Sequence, residues 1–195
     1  LPAESNVTTL CFDHSTPASP RCSPAIIRQL QHAVLRPQYA SFSTFFSVAA
    51  VRYGVTTTAS DATSPTIRPA RRADLLDVRR IEKQSFPNPW PYQAFDMFLS
   101  SRGFLVAFDA GVVGYVVAGV VSYGSEQIGH VKDLAVHPAH RGEGIGSNLL
   151  DGAVRVLTHA GVSRIKLEVR PSNDAARSLY RRAGFEHSHT IPGYY

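Results

Sequence analysis

Two features of this 195-residue chain could do chemistry: a run of closely spaced glycines, and a carboxylate and a phenol downstream of it. The run is Arg141-Gly142-Glu143-Gly144-Ile145-Gly146-Ser147. Glycines let the backbone approach a ligand closely. The residues that follow place Ile145, Leu149, Leu150, Val154 and Leu157 on one helical face, so the run opens a helix. Backbone N–H groups at a helix start, reinforced by the helix dipole, suit a pyrophosphate. No Gly-Lys-Ser/Thr follows, so this is not a Walker loop, and the glycines are misplaced for a dinucleotide fingerprint. An ordinary glycine-rich turn is the competing reading. Glu168 lies on an alternating, strand-like run and Tyr180 on the next helical stretch. Each could carry a proton, or be a plain strand carboxylate and a core aromatic. His130 and Asp133, on an earlier strand, are further titratable candidates against the same background of ordinary packing.

The elements that must position these groups are legible from Thr66 onward. Thr66–Pro69 reads as a short strand. Asp74 is the expected N-cap of a helix to about Ser85, with Leu75, Val78 and Ile81 on one side. Three prolines in Phe86-Pro87-Asn88-Pro89-Trp90-Pro91 forbid helix there. A second helix follows over about Tyr92–Ser100. Phe104–Phe108 and Val112–Val121 read as a hairpin around Asp109-Ala110-Gly111. His130–Val136 is the next strand, Ile145–His159 a long helix with Gly161 behind it, and Arg164–Val169 a strand. Asp174–Ala183 is helical and Phe185–Ile191 a last strand. The order β-α-α-β-β-β-α-β-α-β makes residues 66–195 an α/β (α+β) domain of mixed, mostly antiparallel sheet.

The segment Arg141-x-x-Gly144-x-Gly146, after Leu134-Ala135-Val136-His137-Pro138, resembles the acetyl-CoA motif of the GCN5-related N-acetyltransferase (GNAT) superfamily. Within it, several stretches resemble the RimI-type ribosomal-protein alanine N-acetyltransferases and the archaeal N-terminal acetyltransferases. They are Leu167-Glu168-Val169-Arg170-Pro171-Ser172-Asn173, then Leu179-Tyr180, Phe86-Pro87-Asn88-Pro89-Trp90, Gly129–Val136 and Pro192-Gly193-Tyr194-Tyr195. The resemblance covers roughly Thr66–Tyr195. It implies a GNAT fold with helices on both faces of the sheet. It implies that acetyl-CoA, as co-substrate, binds through Arg141, Gly142, Glu143, Gly144, Ile145, Gly146 and Ser147, with Leu134, Ala135 and Val136 along its pantetheine arm and Asn173 holding that arm. It implies Glu168 as general base and Tyr180 as general acid. Phe86, Pro89, Trp90, His130, Tyr194 and Tyr195 would meet the substrate, His130 serving also as a reserve base. Members normally continue into one more strand. Here that strand is missing after Tyr195, so a fragment, another segment or another chain is expected to explain the gap.

Composition bounds the rest. A hydrophobic fraction of 44% permits a packed core. No apolar run reaches the roughly 18–20 residues of a spanning helix, so no membrane partner is expected. No signal sequence is apparent, and a cytoplasmic location is expected. The net charge of +5 suits an anionic cofactor, while direct nucleic-acid binding would rest on charge alone. Cys11 and Cys22 fit no zinc spacing and no metal is expected; a reduced pair is expected, with a disulfide between them as the alternative. Residues 1–65 are rich in Ser, Thr, Pro and Ala. They are expected to be a poorly ordered or accessory extension, with one helical patch at Ala25–Leu35. The chain starts at Leu1 rather than Met, which reads as processed or incomplete. The function expected is acetyl transfer to the N-terminal α-amine of a ribosomal protein or other nascent chain. A small-amine or lysine acetyltransferase and a non-catalytic CoA-binding or ribosome-associated module are the alternatives.

Overall fold

The computed structural model describes residues 6–13 and 64–191. The helical patch at 25–35, Cys22, Tyr194 and Tyr195 lie outside the described residues.

Seven strands form one sheet: β1 (Val7–Asp13), β2 (Thr66–Pro69), β3 (Gly103–Phe108), β4 (Val112–Tyr123), β5 (Glu126–Val136), β6 (Arg164–Val169) and β7 (Glu186–Ile191). Their spatial order is β2-β3-β4-β5-β6-β1-β7. Every neighbouring pair is antiparallel except β5–β6. Four helices are described: α1 (Leu75–Ser85), α2 (Tyr92–Phe98), α3 (Ile145–His159) and α4 (Asp174–Arg182).

Side-chain alternation along the strands decides which helices cover which face. On β3, Leu105 and Ala107 join the core under α3 and α4, with Leu149, Leu150, Leu157 and Phe185. Phe104 and Val106 point the other way, into the core beneath α1 and α2 with Leu75, Val78 and Phe95. Asp74 is the N-cap residue of α1 but makes no side-chain cap hydrogen bond. Its carboxylate turns back to accept from the Arg71 N–H at 2.7 Å and pairs with Arg68 at 2.7 Å, closing the 3-10 turn Arg72–Asp74.

Within the N-terminal segment, the described residues Val7–Asp13 are part of the sheet. Val7–Asp13 is an interior strand between β6 and β7, antiparallel to both. Val7 and Leu10 are buried in the core. The sheet position expected to be empty after Tyr195 is therefore filled by a segment from the other end of the same chain. Val-Thr-Thr-Leu-Cys-Phe carries β-branched and aromatic residues, but such a short run takes its stability from partners rather than from itself.

Candidate active site

The site begins with a mismatch between two strands. The parallel pairing of β5 with β6 covers only Gly129↔Ile165, His130↔Lys166 and Val131↔Leu167. On the other edge of β5, Val117 pairs with Asp133 while Ala118 pairs with Val131. Lys132 is thus an extra residue, a bulge that bends β5 away from β6. From Lys132 onward the two strands splay apart. Between them lies a cavity of about 360 Å³, walled by β5, β6, α4 and the loop between α1 and α2.

Glu168 stands on the β6 wall. Its carboxylate is 2.7 Å from Nε2 of His130 and 2.8 Å from Nζ of Lys166. Lys132 Nζ lies 3.4 Å from the other imidazole nitrogen, Nδ1. A lysine only donates and a carboxylate only accepts, so the imidazole carries its proton on Nε2 and donates it to Glu168. Burial alone would raise the Glu168 pKa, but the hydrogen bonds and charges of His130 and Lys166 outweigh it and hold it at about 2. Burial pushes His130 below its ordinary value against the pull of Glu168, so it is a neutral base at pH 7. The pair is an ionised carboxylate orienting a neutral imidazole, an arrangement that serves proton removal.

Tyr180 faces the same cavity from α4. Burial, then the nearby charge of Asp133, raises its phenol to about 12, so it keeps its proton near neutrality and can donate it to a leaving thiolate.

A third group was not anticipated in its full form. Glu82 of α1 is buried, with Oε1 accepting from the Trp90 N–H at 2.7 Å. The Tyr115 hydroxyl contacts both Glu82 Oε2 and, at 2.9 Å, Asp133 Oδ2. One hydroxyl proton cannot serve two carboxylates, so one of them must carry a proton of its own. Asp133 is the one: burial and then the charge of Glu82 raise it to about 8. The sequence signal for Glu82 is its place four residues after Val78, on the stripe that α1 buries.

Asp133 binds its proton more tightly folded than unfolded, so its contribution is full below about 4 and is lost as pH rises towards about 8. Asp133→Asn is expected to flatten the fall in melting temperature between pH 5 and 8; an unchanged slope would refute the assignment.

The glycine loop lies at the N-terminus of α3. Gly142 and Gly144 have φ of 88° and 80°, a region that costs L-residues about 1–2 kcal/mol. Gly144 is the N-cap of α3 and makes no side-chain cap. Nothing stands within 4 Å of where a Cβ would be at either glycine. An uncapped helix start in open space fits the anionic end of CoA. Gly144→Val is expected to raise the KM for acetyl-CoA about tenfold, the factor given by ~1.4 kcal/mol, with a smaller change in kcat. Steady-state kinetics would check this.

The other sequence-predicted residues divide by location. Leu134, Asn173, Phe86 and Trp90 line the cavity with Glu168 and Tyr180. Ala135 and Val136 continue the β5 edge that β6 has left. Asn173 caps α4, its carboxamide oxygen accepting from the Ala176 N–H at 3.1 Å. Arg141 is engaged in holding the loop: Nε donates to the Val136 carbonyl at 3.1 Å and a terminal nitrogen to Ser85 Oγ at 3.2 Å. Glu143, Ile145, Gly146 and Ser147 sit at the α3 start rather than in the cavity wall. Pro89 is replaced in that wall by Pro87 and Asn88. His130 stands behind Glu168, held by its carboxylate, instead of meeting the cavity. Trp90 stacks on Phe98 with centroids 5.7 Å apart, which stiffens the loop.

Splayed strands, a carboxylate facing a phenol and an anion-binding helix start define a CoA-dependent acyltransferase. The Acetyltransferase (GNAT) family model matches residues 75–185, and the chain belongs to that family. It is 31% identical over 143 residues to the N-alpha-acetyltransferase of Saccharolobus solfataricus, covering 67% of this chain and 85% of that protein. It is 37% identical over 134 residues to the N-alpha-acetyltransferase RimI of Mycobacterium tuberculosis, covering 65% and 82%. A Mycobacterium leprae protein is 37% identical over 133 residues, 63% of this chain, and the match spans only 35% of that relative's length. Among solved structures, Arabidopsis thaliana Naa50 in complex with the bisubstrate analogue CoA-Ac-MVNAL shares the fold, with a TM-score of 0.61 and 24% identity over 68% of this chain and 90% of that one. The protein is an acetyl-CoA-dependent N-acetyltransferase of the GNAT type.

Proposed function

We propose that the acceptor is the N-terminal α-amine of a protein, a ribosomal protein or another nascent chain, and that transfer from acetyl-CoA is direct. One observation carries this reading. Glu168 and Tyr180 face a single cavity whose outer wall is the aromatic Phe86–Trp90 loop, pinned to α1 by Glu82. An extended chain end fits there, apolar contact on one side and a proton acceptor at its tip. The names of the relatives support the same reading.

Acetyl-CoA supplies an acetyl thioester. The amine nitrogen bonds to the carbonyl carbon as the C–S bond breaks. An α-amine has a pKa of about 8, so a neutral fraction is present near neutrality. Once it bonds to carbon its two N–H protons become strongly acidic, the Glu168–His130 pair receives one, and the amide keeps the other. Tyr180 donates to the departing sulfur and is reprotonated in turn. The net result is one proton moved from nitrogen to sulfur.

The test is a peptide panel varying the first two residues, beside N-terminally blocked peptides containing lysine and a polyamine. Acetyl transfer to free α-amines, and none to the blocked peptides, is expected. Transfer only to lysine side chains or to the polyamine would overturn the proposal.

A further inference from the structure

The bulge that opens the cavity also puts an ammonium group on its wall. Lys132 is the residue of β5 without a partner on β4, and it lines the cavity. Its side chain runs towards α2: Nζ is 5.9 Å from the centre of the Phe98 ring and 3.4 Å from Nδ1 of His130.

The groups around it offer no counter-charge to spare. Glu168 is engaged by Lys166 at 2.8 Å and His130 at 2.7 Å. Glu82 is engaged by Tyr115 and the Trp90 N–H. Asp133 is raised to about 8 and carries its proton at neutral pH. His189 of β7, on the same face beyond Thr9, adds no negative charge. Among the described residues Lys132 makes no ion pair, and burial followed by the charge of Lys166 lowers its pKa against the weaker pull of Glu168. On this face two lysines meet the carboxylates of Glu168 and Glu82, both already engaged, and Lys132 is the lysine that makes no ion pair.

A half-buried ammonium without an anionic partner is unfavourable, and a carboxylate brought by the ligand would relieve it. The co-substrate is poorly placed to bring it. Its anionic end belongs at the α3 N-terminus, whereas Lys132 reaches towards α2 beside the Phe86–Trp90 wall. The acceptor is placed to do so: a chain end whose amine meets Glu168 has its first side chains beside that wall.

We propose that Lys132 is a specificity-determining residue that selects acceptor peptides with Asp or Glu among their first two residues. This rests on the N-terminal reading above and names the substrate class of that site. It also separates two neighbouring charges by task. Glu168, neutralised by Lys166, is kept for the amine, and Lys132 is kept for the side chain.

The experiment compares kcat/KM for peptides identical except for Asp, Asn or Lys at position one or two. Wild-type, Lys132→Met and Lys132→Glu enzymes are used. The wild-type enzyme is expected to prefer the Asp peptide to its Asn isostere about tenfold, as a charge-assisted hydrogen bond allows, and to disfavour the Lys peptide. Added salt is expected to shrink that preference. Lys132→Met is expected to abolish it, and Lys132→Glu to favour the Lys peptide, with the KM for acetyl-CoA little changed.

The wild-type panel is decisive even if the variants fold poorly. Efficient α-amine acetylation without preference for Asp over Asn overturns the role of Lys132 and leaves the N-terminal reading intact. Persistence of the preference in Lys132→Met, or a KM for acetyl-CoA raised with the preference retained, overturns it as well. Transfer to no free α-amine removes the N-terminal reading, and this proposal with it.

Discussion

Replacing Glu168 by Gln is expected to lower kcat by about 10²–10⁴-fold, the range of a lost proton-transfer group. The amide keeps the size of the side chain and can still accept from Lys166. It cannot keep the charge that orients the His130 imidazole, nor accept a proton. The KM for acetyl-CoA is expected to hold, because the glycine loop is a separate surface at the start of α3. The substitution also leaves Lys166, buried in the sheet, without its anion. Breaking a buried pair from one side costs about 3–5 kcal/mol, so the rate must be measured well below the variant's melting temperature. The wild-type pH response provides an internal control. A carboxyl depressed to about 2 stabilises the fold above its ordinary value near 4.5, and that contribution is lost as pH falls from there towards 2. Glu168→Gln is expected to remove this acid-limb loss. A variant that keeps both wild-type kcat and the acid limb would end the assignment of Glu168.

The second large effect is expected from the other end of the chain. Deleting residues 1–13 removes an interior strand, with six residue pairs to β6 and five to β7. A net hydrogen bond contributes about 1 kcal/mol, and burial of Val7 and Leu10 about 1.5–3 kcal/mol each. That sum exceeds much of the roughly 5–15 kcal/mol by which a domain is stable. The deletion is expected to abolish cooperative unfolding and acetyl transfer together. Leu10→Ala, a gentler probe, is expected to lower stability by about 2–5 kcal/mol, read by denaturant unfolding. A truncated chain that melted cooperatively and retained activity would show that β6 and β7 hold without β1.

These two experiments probe different depths of information. Ile145–His159 and Arg164–Val169 are predicted residue for residue, because each buries one face and its period is written locally. The glycine loop is equally plain, since φ near 80° at Gly144 tolerates little else. Glu168 and Tyr180 are nameable by resemblance, and the fold does bring them to one cavity. Val7–Asp13 is not recoverable in the same way. Its seven residues are ordinary β-formers in a polar stretch, and both of its partners lie beyond residue 160. Nothing local distinguishes such a strand from a linker. Glu82 and Asp133 are similar: each is an acidic residue in a regular element until Tyr115 is seen between them.

The sequence by itself determined the elements from Thr66 onward, the anion-binding turn and the residue types available for proton transfer, because these depend on backbone preference and on neighbours within a few positions. Tertiary structure alone decided which charges are neutralised. It placed His130 on Glu168, left Lys132 facing the cavity, and set the N-terminal strand beside the catalytic one. Electrostatic interactions and strand pairing act between groups close in space, and proximity across 30 to 150 residues of chain is not written in any local window.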